Sequence, residues 1–217
     1  MANAGTVRML GRNGRYVLSV KVLWIITVFL IFVSCTQVME YDPRYLDQQE
    51  VIVSRRLNGK CVISTTNTDD DYVFYGPPAS ALGSAFKLKI PLGLITKNAA
   101  IHVFESVCTE VEATDNLNGV NYDVAIYPRP IGFEYSYDDT RWLGLAITPQ
   151  VVIDLKVTAF DSKREVIFER VYSSGIVNGK IIYIPMTGWE NVNAATHETV
   201  SRLLSTAAEE IVSVLRQ

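Results

Sequence analysis

The sequence predicts an α+β domain: an antiparallel or mixed sheet of about four to five strands, with two helices packed on one face. Three patterns predict it. From Gln150 to Phe160, Val151, Ile153, Leu155, Val157 and Ala159 alternate with Asp154, Lys156 and Thr158, the period-two signature of a half-buried strand. Asp161 to Arg164 then reads as a hairpin-length turn, and Glu165 to Tyr172 as the returning strand. From about Ala194 to Leu215, Val200, Leu203, Leu204, Ala207, Ile211, Val214 and Leu215 form one apolar stripe, with Glu198, Arg202, Glu209 and Glu210 largely outside it.

The other elements follow in chain order. Lys60 to Thr65 reads as a first strand through Cys61, Val62 and Ile63. Asn67 to Asp71 is a loop; its three consecutive aspartates lack the alternating ligands and turn glycine of a calcium loop, so a solvated acidic turn is expected. Residues 72–84 are broken by Gly76, Pro77, Pro78 and Gly83, and Phe86 to Ile90 is a short strand. Pro91 suits a first helical turn, and Ile95, Ala99, Val103 and Val107 continue at helical spacing from Leu92 to about Val111. Asn118-Gly119 centres a turn. Tyr122, Val124 and Ile126 form another strand, which Pro128 and Pro130 are expected to end. Residues 173–195 are loop-like, with a short strand at Ile181 to Ile184.

Upstream, residues 36–58 are polar and mixed and read as a flexible tether. Before them, Arg8, Arg12, Arg15 and Lys21 precede the apolar run Val22 to Val33, then Ser34 and Cys35. Basic region, apolar core of secretory length, small residue and cysteine together resemble a bacterial lipoprotein signal peptide. Phe32 stands where that family usually has Leu or a smaller aliphatic; Val33, Ser34 and Cys35 fit. The resemblance implies a cleaved segment 1–34, a lipidated Cys35 that opens a tether over 35–58, and a periplasmic domain over 59–217. It further implies acylation of Cys35 and anchoring in a bilayer, with Thr36 after the cysteine favouring the outer membrane. An uncleaved inner-membrane anchor with its basic end in the cytoplasm is the alternative, and a buried helix a third. Both leading alternatives put residues 36–217 on the far side of the membrane.

All 23 acidic residues follow Cys35, while four of the 20 basic ones precede it, so residues 36–217 carry 16 basic groups against 23 acidic. That balance of −7 argues against nucleic acid, which needs a basic face. Cys61 and Cys108 remain once Cys35 is assigned to lipid. In an oxidising compartment they suggest one disulfide; two buried free thiols are the competing expectation.

No catalytic constellation is legible. His102 and His197 each stand alone, so no metal site is read and no cofactor is expected. His102 is expected within the first helix, partly buried or at the surface, and His197 exposed at the start of the last helix. There is no Gly-x-Ser-x-Gly and no glycine-rich phosphate loop. The candidate site is instead an aromatic stretch. Tyr122, Tyr127, Phe133, Tyr135, Tyr137 and Trp142 are six of the chain's 22 aromatics, flanked by Arg129 and Arg141. Tyr, Trp and Arg make binding hot spots, so Tyr127, Arg129, Phe133, Tyr135, Tyr137, Arg141 and Trp142 are read as a partner-binding loop. Packing of these rings on the domain's own sheet is the alternative.

The order of elements, with Ile90-Pro91-Leu92-Gly93 leading into a helix carrying Ala99, Ala100, Val103 and Phe104, resembles small periplasmic lipoproteins that accompany transport and assembly machines. These include the lipoprotein of the lipopolysaccharide translocon, auxiliary lipoproteins of some ABC transporters, and the N-terminal domain of the Tol translocation protein. The resemblance implies a non-enzymatic accessory component with an envelope protein as partner. A structural homo-oligomer and a single-pass inner-membrane protein with the same periplasmic domain are the other expectations.

Overall fold

A computed structural model of the chain describes residues 35–47, 56–84, 86–138, 146–183 and 188–216. The chain divides at Cys35, and the larger compact unit begins at Thr36.

The larger unit is α+β. Its main sheet has seven strands rather than four or five: β2 (Leu57–Ser64), β5 (Cys108–Thr114), β6 (Val124–Asp138), β7 (Ala146–Asp161), β8 (Val166–Ser173), β9 (Val177–Asn178) and β10 (Ile182–Tyr183). β2 lies between β5 and β6, parallel to both; β6 and β7 form a long antiparallel hairpin; β8, β9 and β10 share the far edge of β7. A second sheet has the order β1 (Cys35–Val38), β4 (Phe86–Ile90), β3 (Phe74–Gly76). The helices are α1 (Arg44–Asp47), α2 (Asn67–Asp70), α3 (Leu92–Glu105) and α4 (Trp189–Leu215).

The alternation in β7 does what its sequence dictates. Val151, Ile153, Leu155, Val157 and Ala159 are fully buried and join Val103 and Phe104 of α3 and Leu204 and Ile211 of α4 in one continuous core. A smaller cluster of Val62, Tyr122 and Ala125 is covered by Leu117 and Val120 of the preceding loop.

Several elements differ from expectation for identifiable reasons. β6 runs through Pro128 and Pro130 to Asp138. Its pairing with β2 covers only Val124 to Ile126, so beyond that point one edge of β6 is open and a missing proline N–H breaks no ladder bond there. The chain before β4 then borders this edge: the Ala79 N–H donates to the Tyr135 carbonyl at 2.8 Å, and the Tyr137 N–H to the Ser80 hydroxyl at 3.0 Å. α3 ends at Glu105, and Cys108–Thr114 is an edge strand instead of a helical continuation. Val107 and Val111 had extended the helical spacing, but β-branched Thr109 and Val111 also suit an extended backbone. α4 starts five residues earlier than expected, at Trp189.

Gly93 explains the lead-in to α3. A Cβ there would stand 1.8 Å from the Asp69 carbonyl oxygen, and its N–H donates to the Tyr72 carbonyl at 2.9 Å. Only glycine lets the α2 turn lie against the first turn of α3. The acidic turn is thus a docked element: Lys97 of α3 pairs with Asp70, and the Tyr127 hydroxyl donates to Asp69.

Residues 36–47, read from sequence as tether, are packed onto the domain. Met39 and Leu46 are buried in the main core, the Met39 N–H donates to the Lys89 carbonyl at 2.8 Å, and Asn193 Nδ2 donates to the Glu40 carbonyl at 3.1 Å. Residues 48–55 of that tether lie outside the described residues, and its last two, Leu57 and Asn58, are the start of β2 rather than tether.

Candidate functional site

Cys61 and Cys108 are joined as a disulfide, with Cα atoms 6.0 Å apart. The bond ties β2 to its edge neighbour β5 and spans 47 residues. Both residues are buried, so the bridge is structural rather than a reactive thiol pair.

The aromatic stretch is a strand and not a loop as far as Asp138, and β7 pairs along its length. Tyr135 is a core residue; its hydroxyl donates to the Gly76 carbonyl at 3.1 Å, and burial pushes its phenol well above the ordinary range. Phe133 and Tyr137 flank it, with ring centroids 6.4 and 5.9 Å from that of Tyr135, and the Phe74 ring of β3 lies tilted against Phe133 at 4.7 Å. These rings join the two sheets. Tyr127 is half-buried through its bond to Asp69. Burial pushes that carboxyl up, but the Thr66 and Tyr127 hydroxyls outweigh it and hold Asp69 below its usual value. Arg129 alone is exposed. Arg141 and Trp142 lie outside the described residues. The loop expected over Tyr127–Trp142 is therefore a strand as far as Asp138, and alternation along a central hairpin turns three of these rings inward.

His197 is the other correction. It is fully buried rather than exposed. Tyr41 stacks on it at 5.8 Å, Tyr45 lies tilted against it at 5.2 Å, and its Nδ1 lies 3.0 Å from the Asn193 carbonyl. Burial lowers its pKa from 6.5, against the opposing pull of that carbonyl and Asp42. Its sequence position at a helix start gave no hint, because the covering rings come from residues about 150 positions earlier. His102 is half-buried, near expectation.

Beside this clasp is a cleft of about 510 Å³ lined by Tyr41, Arg44, Tyr45, Trp189, Glu190 and Asn193. The Arg44 guanidinium forks onto Asp42 at 2.7–3.1 Å and holds that carboxyl below its usual range. The cleft brings together aromatic faces and paired charges, with no nucleophile set against a base. Among the described residues, no group of three or more His, Cys, Asp or Glu is placed to hold a metal ion. Among the same residues, no helix is long and apolar enough to cross a membrane.

What sequence reasoning missed is that the short strand at Phe86 to Ile90 is the centre of a separate sheet, with β1 and β3 as partners. What the sequence does show is that residues 72–90 contain two lysines and no acid, within an otherwise acidic domain.

No family model matches the chain, and no curated protein matches it. Among solved structures, a Xanthomonas campestris protein described by the family model DUF330 is similar, with a TM-score of 0.52 and 13% identity over 75% of this chain and 89% of that one. That likeness is one of fold: the α+β arrangement described above is shared with this structure.

Proposed function

We propose that this chain is a lipid-anchored, periplasm-facing protein that serves as a non-enzymatic accessory component of a cell-envelope transport or assembly complex. One observation carries the reading. The compact unit begins at Thr36, immediately after the cysteine that ends the basic and apolar leader. A lipoprotein signal peptidase would cut one bond upstream, between Ser34 and Cys35, and leave the acylated cysteine at the head of that unit. The buried disulfide supports export to an oxidising compartment. The domain offers partners paired charges and aromatic faces at the α1–α4 cleft, and it presents no catalytic pair among the described residues.

The test is Cys35→Ser in the full chain, expressed in a bacterium fed labelled palmitate. Loss of label with accumulation of precursor is expected. Full labelling of the Ser variant would end the lipoprotein reading.

A second reading is a homo-oligomer packed edge to edge. Among the described residues β5 pairs only with β2, and β8 only with β7, and Val166 and Val171 of β8 are exposed. A monomer by light scattering in detergent, at high protein concentration, would remove it.

A further inference from the structure

We infer that the outer face of the β1–β4–β3 sheet is a membrane-docking face, seated on the bilayer to which Cys35 is attached. This rests on the lipoprotein reading of Cys35 and adds to it a surface and an orientation.

The argument starts from strand alternation. In β4, Leu88 and Ile90 point into the core, so Lys87 and Lys89 point out. Tyr75 of β3 lies opposite Lys89 in the antiparallel register and shares its face. The Lys87 ammonium stands 5.6 Å from the Tyr75 ring centroid. In the first strand Met39 turns inward and Val38 outward.

On β3 and β4 the outward residues are apolar or cationic; on the first strand exposed Thr36 and Val38 share that side, and exposed Glu40 follows. Val38 is 63% exposed and Tyr75 57%; Phe86, on the parity of Leu88 and Ile90, is 51% exposed where β4 begins. Tyr72, Val73 and Leu82, in the segments leading into β3 and β4, are exposed as well. Residues 72–90 hold two lysines and no carboxylate, inside a region of net charge −7. Elsewhere, exposed apolar residues such as Ile131, Val166 and Val171 sit among Arg129, Glu134, Glu169 and Arg170. The small sheet joins bare aromatic surface to positive charge on one face. Aromatic rings at headgroup depth with lysines reaching phosphate is the chemistry of an interfacial surface.

Position selects the bilayer over a protein as the occupant. Val38 is three residues after Cys35, a reach of at most about 11 Å. With Met39 and Leu46 buried, the domain cannot stand off on residues 36–47. An acyl group on Cys35 therefore holds this face within contact of the lipid. Because the anchor makes docking intramolecular, a modest patch suffices.

The experiment uses the full chain in bacteria, with a photoreactive benzoylphenylalanine at Tyr75, Phe86 or Lys163 and phosphate-labelled phospholipid. Lys163 is exposed in the β7–β8 turn, at the other end of the β6–β7 hairpin from Tyr135, about 35 Å away. Phospholipid adducts are expected from positions 75 and 86 and not from 163. Lys87→Glu with Lys89→Glu should lower the adduct yield about tenfold. Protein adducts in place of lipid, equal lipid adducts from position 163, or no adduct from 75 and 86 while Cys35 carries palmitate would each overturn the docking face. Palmitate labelling of the same samples reads the anchor separately: an unlabelled Cys35 refutes the lipoprotein reading, and lipid adducts at 75 and 86 would then uphold the face without it.

Discussion

The two sheets follow the same period-two rule and reach opposite surfaces. In the main sheet, alternation buries Val151, Ile153, Leu155 and Val157 and turns Asp154 and Lys156 outward. In the small sheet, it buries Leu88 and Ile90 and turns Tyr75, Lys87, Lys89 and Val38 outward. The first is the usual half-solvated sheet. The second spends apolar residues on its open face, where they add nothing to the core. The lesson is that burial alone does not separate structural from interactive residues. The sign of the residues left outside does.

Mutations should separate the regions sharply. Phe104 is fully buried in the main core, so Phe104→Ala should cost about 4 kcal/mol in a denaturant melt; a cost below about 1 kcal/mol would show that α3 is not integral to that core. Replacing Cys61 and Cys108 together with Ala should cost about 3 kcal/mol, visible equally as a drop in stability of the native protein on reduction. Gly93→Ala should destabilise by about 2 kcal/mol through the clash with Asp69, and relief of that cost by shortening the α2 turn would confirm its cause.

A smaller effect is expected from pH. His197 has a folded pKa below its ordinary 6.5, so the unfolded chain takes up the proton first. The stabilisation is complete above pH 6.5 and is lost as pH falls from there through the depressed value. Tyr41, Tyr45 and Asp42 face the ring from the N-terminal segment. Stability measured from pH 8 to 5 should fall, and His197→Gln should flatten that part of the profile. An unchanged slope in the variant would assign the dependence to carboxylates. Smallest of all, Val38→Ser and Tyr75→Ser should change stability by no more than about 0.5 kcal/mol. A large loss in either would move the small sheet's open face into the structural class.

Much of the main fold was legible because its signals are local. The β7 alternation, the Asp161–Arg164 turn and the α4 stripe each need only a short window of sequence, and each is found where its residues pointed. The prolines of β6 misled because their effect depends on whether a neighbour strand is present, and β2 ends before it reaches them. The aromatic stretch misled for a related reason. Composition marks Tyr135 as a ring worth burying or binding, and only the sheet says which.

By itself, the sequence determined the α+β class, the acidic balance of residues 36–217 and the position of Cys35 after a basic and apolar leader. These depend on residue order and periodicity, which the chain carries wherever it folds. The tertiary structure decided the rest. It paired Cys61 with Cys108, sank His197 beneath two tyrosines, packed residues 36–47 onto the core and gathered Val38, Tyr75 and Lys89 onto one face. Each of those joins residues far apart in the chain, or depends on an element that is, and no local pattern encodes a contact whose partner lies outside its window.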